Sequence, residues 1–169
     1  MGVFQLSSPR LVIDELREED FDALAELFAD PEAMRYFPHP YAREEVRELF
    51  DRQRRGYRER GFGLWAVRLK ATGDFVGDCG LSPRAVDDLE HVEVGWHLLP
   101  RHWHQGYATE AAREVVRHAF EERGLDHVIS LIRPENEPSR RVARRLGMRA
   151  VGETVHAGLR HLVYRLDAR

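Results

Sequence analysis

The chain has 169 residues, 43% of them hydrophobic and 33% charged, with Lys+Arg 26 against Asp+Glu 29 for a formal net charge of -3. That is enough apolar material for one packed domain over 1–169 and too little charge imbalance for a disordered chain, and the acidic balance argues against a nucleic-acid partner. A lone cysteine, Cys79, excludes an intramolecular disulfide framework and any multi-Cys metal centre, while the absence of a long apolar run or a basic-then-apolar leader points to a cytoplasmic protein with no membrane partner.

Taken in chain order, Arg10–Leu16 reads as a strand with Leu11 and Ile13 on one face. Glu18–Ala29 then reads as a helix, closed by Asp30-Pro31. A second, highly charged helix is expected over Ala42–Arg60, stopped by Gly61 and Gly63. Three strands follow: Leu64–Leu69, then Phe75–Leu81 after a Thr72-Gly73-Asp74 turn, then Glu90–Leu99 after a loop over Ser82–Asp88. Their connections are too short for crossover helices, so an antiparallel meander is expected. Gly106–Arg123 has the clearest helical periodicity, with Ala111, Ala112, Val115, Val116 and Ala119 on one side and charges on the other. A strand over His127–Ile132, a helix over Pro138–Leu146, and strands over Met148–Thr154 and His161–Leu166 complete the chain. The order is β-α-α-β-β-β-α-β-α-β-β, an α/β (α+β) architecture with a mixed sheet covered by helices.

The stretch from Glu93 to Ala111 carries the chemistry. A strand runs through a short loop into the best helix of the chain. Gly106 has no side chain to shield the backbone there and Ala108 has almost none, so the amides at the helix start form an anion site suited to a pyrophosphate, to which Thr109 adds a hydroxyl. The alternative is a tight strand–helix turn with no ligand. No Walker-type loop occurs, and a Rossmann fingerprint does not fit a motif that follows a meander.

Trp103-His-Gln-Gly106-Tyr-Ala108-Thr-Glu-Ala111 resembles the acetyl-CoA pyrophosphate loop of the GNAT N-acetyltransferases, Q/R-x-x-G-x-G/A, with Trp103 in place of Gln/Arg. The strand Glu93-Val-Gly-Trp-His-Leu, the segment Asn136-Glu-Pro-Ser139, Val142-x-x-x-Leu146-Gly147-Met148 and Gly73-Asp-Phe-Val-Gly77-Asp78 resemble, in order and spacing, the ribosomal-protein N-terminal acetyltransferase branch of that family. The likeness spans roughly Arg10 to Leu166.

The resemblance implies direct acetyl transfer from acetyl-CoA to an amine acceptor in a ternary complex, with no metal. The diphosphate would lie on the amides of Gln105 to Thr109, next to His104 and Tyr107. The pantetheine would run beside His97, Leu98 and Leu99 as an added strand, with the Leu98 N–H polarising the thioester carbonyl. Glu93, sharing a strand face with His91 and Gly95, is the candidate general base, directly or through a water; the alternative is a solvated strand carboxylate. The tyrosine that many members carry seven residues after the motif Asn is Ala143 here. Ser139 is the substitute donor to the CoA sulfur, with Tyr107 as the alternative, and Ser139 also reads as a plain first-turn serine. Asn136 either bonds the pantetheine or caps the helix. Among Arg140, Arg141, Arg144 and Arg145, Arg144 is the candidate for the 3′-phosphate of CoA. Phe37, Trp65, Asp78 and His91 are the candidate acceptor contacts. His91, His97, His102 and His104 lack metal-ligand spacing. By resemblance, a homodimer through the C-terminal strands is expected. Two other readings stay open: a catalytically idle acyl-CoA sensor, and an acetyltransferase for an amino sugar or antibiotic.

Overall fold

A computed structural model describes residues 3–169 of the chain. Twelve regular elements can be named in order: β1 (Gln5–Ser7), β2 (Leu11–Asp14), α1 (Phe21–Ala29), α2 (Arg43–Glu59), β3 (Leu64–Leu69), β4 (Phe75–Val86), β5 (Leu89–Leu98), α3 (Tyr107–Glu121), β6 (His127–Ile132), α4 (Glu137–Arg145), β7 (Arg149–His156) and β8 (Leu159–Asp167). One sheet holds all eight strands in the order β1-β2-β3-β4-β5-β6-β8-β7. Every neighbouring pair is antiparallel except β5 and β6, which are parallel. No helix among the described residues is long and apolar enough to cross a membrane.

Period-2 alternation sorts the strand residues between two cores. Leu11, Ile13, Trp65, Val67, Cys79, Leu81, Val94 and Leu98 face α3 and α4. There the small residues Ala111, Ala112 and Ala119 let α3 settle close against the sheet. Ala66 and Leu99 point the other way, into a core built with Leu24, Phe28, Val46 and Phe50 of α1 and α2. The two faces of one sheet therefore pack against different helices, and β3 supplies buried residues to both.

The structure departs from the sequence reading in two places. The segment Ser82–Asp88, expected as a loop, continues β4 to Val86 and pairs with β5 down to Val86↔Leu89. The turn is only Asp87-Asp88, both residues at positive φ (50 and 62), a conformation that Asp tolerates in tight hairpins. Pro83 is accommodated because β3 pairs with β4 only as far as Leu64↔Gly80, so the proline lies where that side of β4 has no strand beside it. The second departure is β1, which adds a three-residue edge strand with one buried apolar residue, Leu6.

A buried ion network fixes the start of α1 to the sheet. Arg68 on β3 donates to Asp14 (Nε–Oδ1 2.8 Å) and, with both terminal nitrogens, to Asp20 (2.6 and 2.7 Å). Asp14 and Asp20 are 4% and 3% exposed. Hydrogen bonding to Asp20 outweighs the burial that disfavours the guanidinium and raises the Arg68 pKa. Arg68→Met would leave Asp20 buried without its cation and Asp14 with only the half-exposed Arg17 (Nη2–Oδ2 2.5 Å). The expected loss is about 3–5 kcal/mol of unfolding free energy in urea titrations, with part restored by adding Asp14→Asn and Asp20→Asn. A loss below 1 kcal/mol would mean that the network carries little of the stability.

Candidate functional site

The site begins where β5 and β6 part. The two strands share one bridge, Glu93↔Ile129. On its other side β5 pairs with β4 over its full length, and Leu99 N donates to Val76 O (3.0 Å). By the antiparallel alternation, odd-numbered residues of this stretch spend their backbone groups on β4, and even-numbered ones face β6. Val94 and Leu98 bear this out, because their carbonyls accept from Ser130 Oγ (2.7 Å) and from the Trp103 indole Nε1 (2.8 Å). The N–H groups of Trp96 and Leu98 consequently face a gap with no strand in it. Such an edge is a template for one more extended chain.

That edge leads to the amino end of α3. Gly106 takes φ 81, and His104 two residues earlier also has positive φ (60). A Cβ on Gly106 would meet Arg10 Nη2 at 3.3 Å and would be strained by that φ. The first intrahelical bond is Glu110 N to Gly106 O, so the amides of Tyr107, Ala108 and Thr109 are free of the helix. Thr109 Oγ1 is buried here with no hydrogen-bond partner. Gly106 and Thr109 line a hollow of about 450 Å³ with Arg10, Arg113 and Arg145, and with Glu110 and Glu114, which pair with Arg10 and Arg117. Amide donors, an orphaned hydroxyl and guanidinium groups fit a ligand with a pyrophosphate and a further phosphate. Arg10 is partly committed: it bonds Glu110 (Nη2–Oε2 2.7 Å) and stacks over the Tyr107 ring at 4.5 Å. Burial opposes ionisation of Glu110, but Ser8 and Arg10 still hold its carboxyl below the usual range.

On the α1/α2 side the gap opens into a cleft of about 790 Å³, lined by Phe37, Glu93, Gly95, His97, Asn136 and Ser139 among others. Glu93, as expected, shares its face with Gly95 and His97. Its carboxylate is well bound: Oε1 accepts from Arg84 Nη2 and Nε (2.9 and 3.1 Å), and Oε2 accepts from the Leu131 amide (2.8 Å). Arg84 also reaches His156 (3.3 Å), whose pKa is lowered by burial and by that guanidinium. At the far end of the face, His97 Nδ1 lies 2.6 Å from Oδ1 of Asp78, which is 1% exposed. Burial works against the His97 imidazolium, but the Asp78 carboxylate more than offsets it, and the pKa stands above the ordinary value.

The structure separates the other sequence candidates. Ser139 lines the cleft, and Asn136 caps α4 by accepting the Ser139 amide at 3.2 Å. Trp65 is a core residue, 1% exposed and stacked on Phe4 at 4.3 Å, so it makes no wall of the cleft. His91 is drawn away to His127 (2.9 Å) at the opposite end of β5. Arg144 is held on the surface by Glu137 (2.9 and 3.0 Å), and it is Arg145 that lines the α3 hollow. Leu99 contributes backbone only, its side chain being buried under α1 and α2. Tyr107 lies beneath Arg10, and the cleft walls do not include it. Sequence reasoning missed Arg84, because it fell in a segment read as loop. The Asp87-Asp88 hairpin and the alternation Ser82, Arg84 would have placed it diagonally from Glu93. It also missed His156 and His161 beside the β7–β8 turn, for which the sequence carries no local signal. No cluster of three or more metal-ligating side chains occurs among the described residues.

Comparison with known proteins places this geometry. Residues 10–149 match the model of the acetyltransferase (GNAT) domain family. The chain is 36% identical over 145 residues to the uncharacterized protein YkkB of Bacillus subtilis, covering 82% of this chain and 84% of that one. It is 31% identical over 148 residues to the uncharacterized N-acetyltransferase YnaD of the same organism, covering 87% and 84%. Among solved structures, an acetyltransferase from Agrobacterium tumefaciens superposes with a TM-score of 0.87 at 27% identity over 99% of this chain and 96% of that one. The ribosomal L7/L12 acetyltransferase RimL, solved with coenzyme A, shares the fold at 16% identity, with a TM-score of 0.77 over 97% and 98%. The bare edge of β5, the uncovered amino end of α3 and these matches lead to one assignment: the chain belongs to the GNAT acetyltransferase family.

Proposed function

We propose that this chain is an N-acetyltransferase, a single catalytic domain that moves the acetyl group of acetyl-CoA to a primary amine by direct attack in a ternary complex. The observation that carries the reading is the run of unpaired amides on β5 that ends at the start of α3. A pantetheine arm can bond along the first while its diphosphate rests on the second. In this reading the Leu98 N–H stabilises the oxyanion that forms on the thioester carbonyl. Ser139 gives a hydrogen bond, and then a proton, to the departing sulfur. Gly106 and Thr109 hold the diphosphate, and Arg145 meets the 3′-phosphate. Two groups on the cleft floor are placed to relieve the amine of its proton: Glu93, directly or through a water, and His97.

The charges lining the cleft speak to the acceptor. Arg52, Arg60, Arg84 and Arg133 stand against Glu45 and Glu93. Arg52 and Arg60 form no ion pair among the described residues. A polycationic amino sugar would be repelled, whereas an amine that carries a carboxylate or phosphate nearby, such as an acidic peptide terminus, would be drawn in.

A panel of free amines incubated with acetyl-CoA tests the reading: acidic and basic peptides with free N-termini, acidic amino acids and an aminoglycoside. The expected result is thiol release with a mass gain of one acetyl group, with acidic acceptors ahead of the aminoglycoside. Coenzyme binding without turnover of any amine would instead mark a sensor. Ser139→Ala should lower kcat by about 10²-fold while leaving coenzyme affinity close to wild type; an unchanged kcat would remove Ser139 from the reaction. Gly106→Ala should raise the KM for acetyl-CoA by about tenfold with a stability loss of only ~1 kcal/mol, because the new methyl sits at a left-handed residue on the path of the diphosphate. An unchanged KM would show that the diphosphate lies elsewhere.

A further inference from the structure

The two carboxylates on the cleft face have opposite situations. Glu93 has four lone-pair sites and three are taken, two by Arg84 and one by the Leu131 amide. One lone-pair site remains open on that carboxylate, and the rest of it is committed to holding Arg84 and β6. Asp78 is buried, and its cross-strand partner His97 is bonded to it through Nδ1. A carboxylate at 2.6 Å holds the ring proton on Nδ1 and leaves the lone pair of Nε2 outward. His97 keeps 23% of its side chain exposed, lines the cleft, and is braced by the rings of Phe28 (5.2 Å) and Phe37 (5.5 Å). It directly precedes Leu98, the residue whose N–H faces the gap.

We infer that His97, with Asp78 as its positioning residue, is the group that takes the proton from the acceptor amine. This rests on the acetyl-transfer reading above and deepens it. The acceptor enters as an ammonium and gives one proton to His97 Nε2. Its freed lone pair forms the C–N bond at the thioester carbonyl. The C–S bond then breaks with its electron pair on sulfur. A second proton leaves the nitrogen, and the sulfur is protonated through Ser139, so the products are amide and CoA thiol. The imidazolium then returns its proton to solvent. Asp78 steadies that imidazolium through the Nδ1 hydrogen bond, and Glu93 with Arg84 is left to orient the incoming acceptor. The other titratable or charged groups near His97 are Glu93 on its own strand, His39 and Tyr41 of the segment between α1 and α2, and Glu45 and Arg52 of α2. Of these, Glu93 adds to the pull of Asp78 in raising the His97 pKa.

The test combines kinetics, using the best acceptor of the amine panel, with nitrogen-15 NMR of the histidine rings in the intact protein. In the wild type, kcat should fall toward acid through a limb whose pKa lies above the ordinary imidazole value, because His97 acts only when neutral. His97→Gln should cost about 10²-fold or more in kcat, abolish that limb and leave coenzyme binding by calorimetry unchanged. Asp78→Asn keeps an acceptor for Nδ1 but removes the charge, so the limb should move to lower pH. Glu93→Gln should raise the acceptor KM and leave the limb in place. The spectra should place the neutral-ring proton on Nδ1, with a titration that Asp78→Asn shifts down. The inference is overturned if His97→Gln keeps both kcat and the limb, if Glu93→Gln alone removes the limb, or if the ring proton sits on Nε2. A wild type that acetylates no amine in the panel overturns the acetyl-transfer reading instead, and the NMR titration still decides the state of His97.

Discussion

The divergence of β5 from β6 is the constraint on which everything else hangs. A parallel pair in the middle of an eight-stranded sheet would ordinarily run a continuous ladder, and here it has one bridge. Side chains hold the strands together at the point of parting. The Glu93 carboxylate takes the Leu131 amide and the Ser130 hydroxyl takes the Val94 carbonyl, so backbone groups that lose their partners at the crotch are satisfied locally. Beyond it the Leu98 carbonyl is taken by Trp103, while the neighbouring amides keep their donors. An unmet donor in a sheet interior costs on the order of 1–3 kcal/mol when buried, so a gap of this kind persists only where water or a ligand reaches it. The fold thus gives up sheet pairing and leaves an open edge at its centre rather than at its rim.

The sheet's alternation then separates the backbone edge of β5 from the side chains of the cleft. Even-numbered residues of β5 send Val94 and Leu98 into the core under α3, and their backbone groups face the gap. Odd-numbered residues send Glu93, Gly95 and His97 to the α1/α2 side. A thioester held along the gap would be approached from that second side by the acceptor. Gly95 matters to this arrangement by what it lacks: a Cβ there would meet only Leu64 Cδ2, at 3.7 Å, so packing does not demand glycine. The space remains free between Glu93 and His97, which stand four residues apart, roughly 13 Å along the strand.

Most of the fold was legible in the sequence because the strong signals were long and periodic. The α3 stripe, the meander and the glycines after helices each encode geometry locally. Residues of β1 were not legible because three residues carry no period. The extension of β4 was not legible because Pro83 and the Asp pair read as loop punctuation, whereas the sheet tolerates the proline on a side with no neighbouring strand. The site was legible in its backbone and less so in its side chains. Gly106 stands at the start of α3 and Ser139 in the first turn of α4, because helix starts are local features, and Glu93 shares a face with Gly95 and His97 by the strand period. Trp65 and His91 lie on strands that pass the site, but one is packed in the core under α3 and the other is drawn to a neighbouring strand. Arg145 rather than Arg144 lines the hollow at α3, because adjacent helical positions point about 100° apart and a charge run does not say which one faces inward. The partnership of Asp78 with His97 needed the strand register, which no single sequence supplies.

That register also explains how one face can hold two carboxylates without their competing. Asp78 is paired through His97 and Glu93 through Arg84. The partner sets the function that remains available: an arginine never gives up its proton in this range and so fixes charge, whereas a histidine exchanges its proton near neutrality. Reversing the partners would leave a titrating pair at the crotch, where the Leu131 amide needs a permanent acceptor, and a fixed cation at the other end of the cleft face. The observed assignment puts a fixed charge where the strands are held together and a proton-exchanging group at the other end of the cleft face. Glu93 with Arg84 thus serves the parting of β5 from β6, and Asp78 with His97 is the pair on which the inferred proton transfer draws.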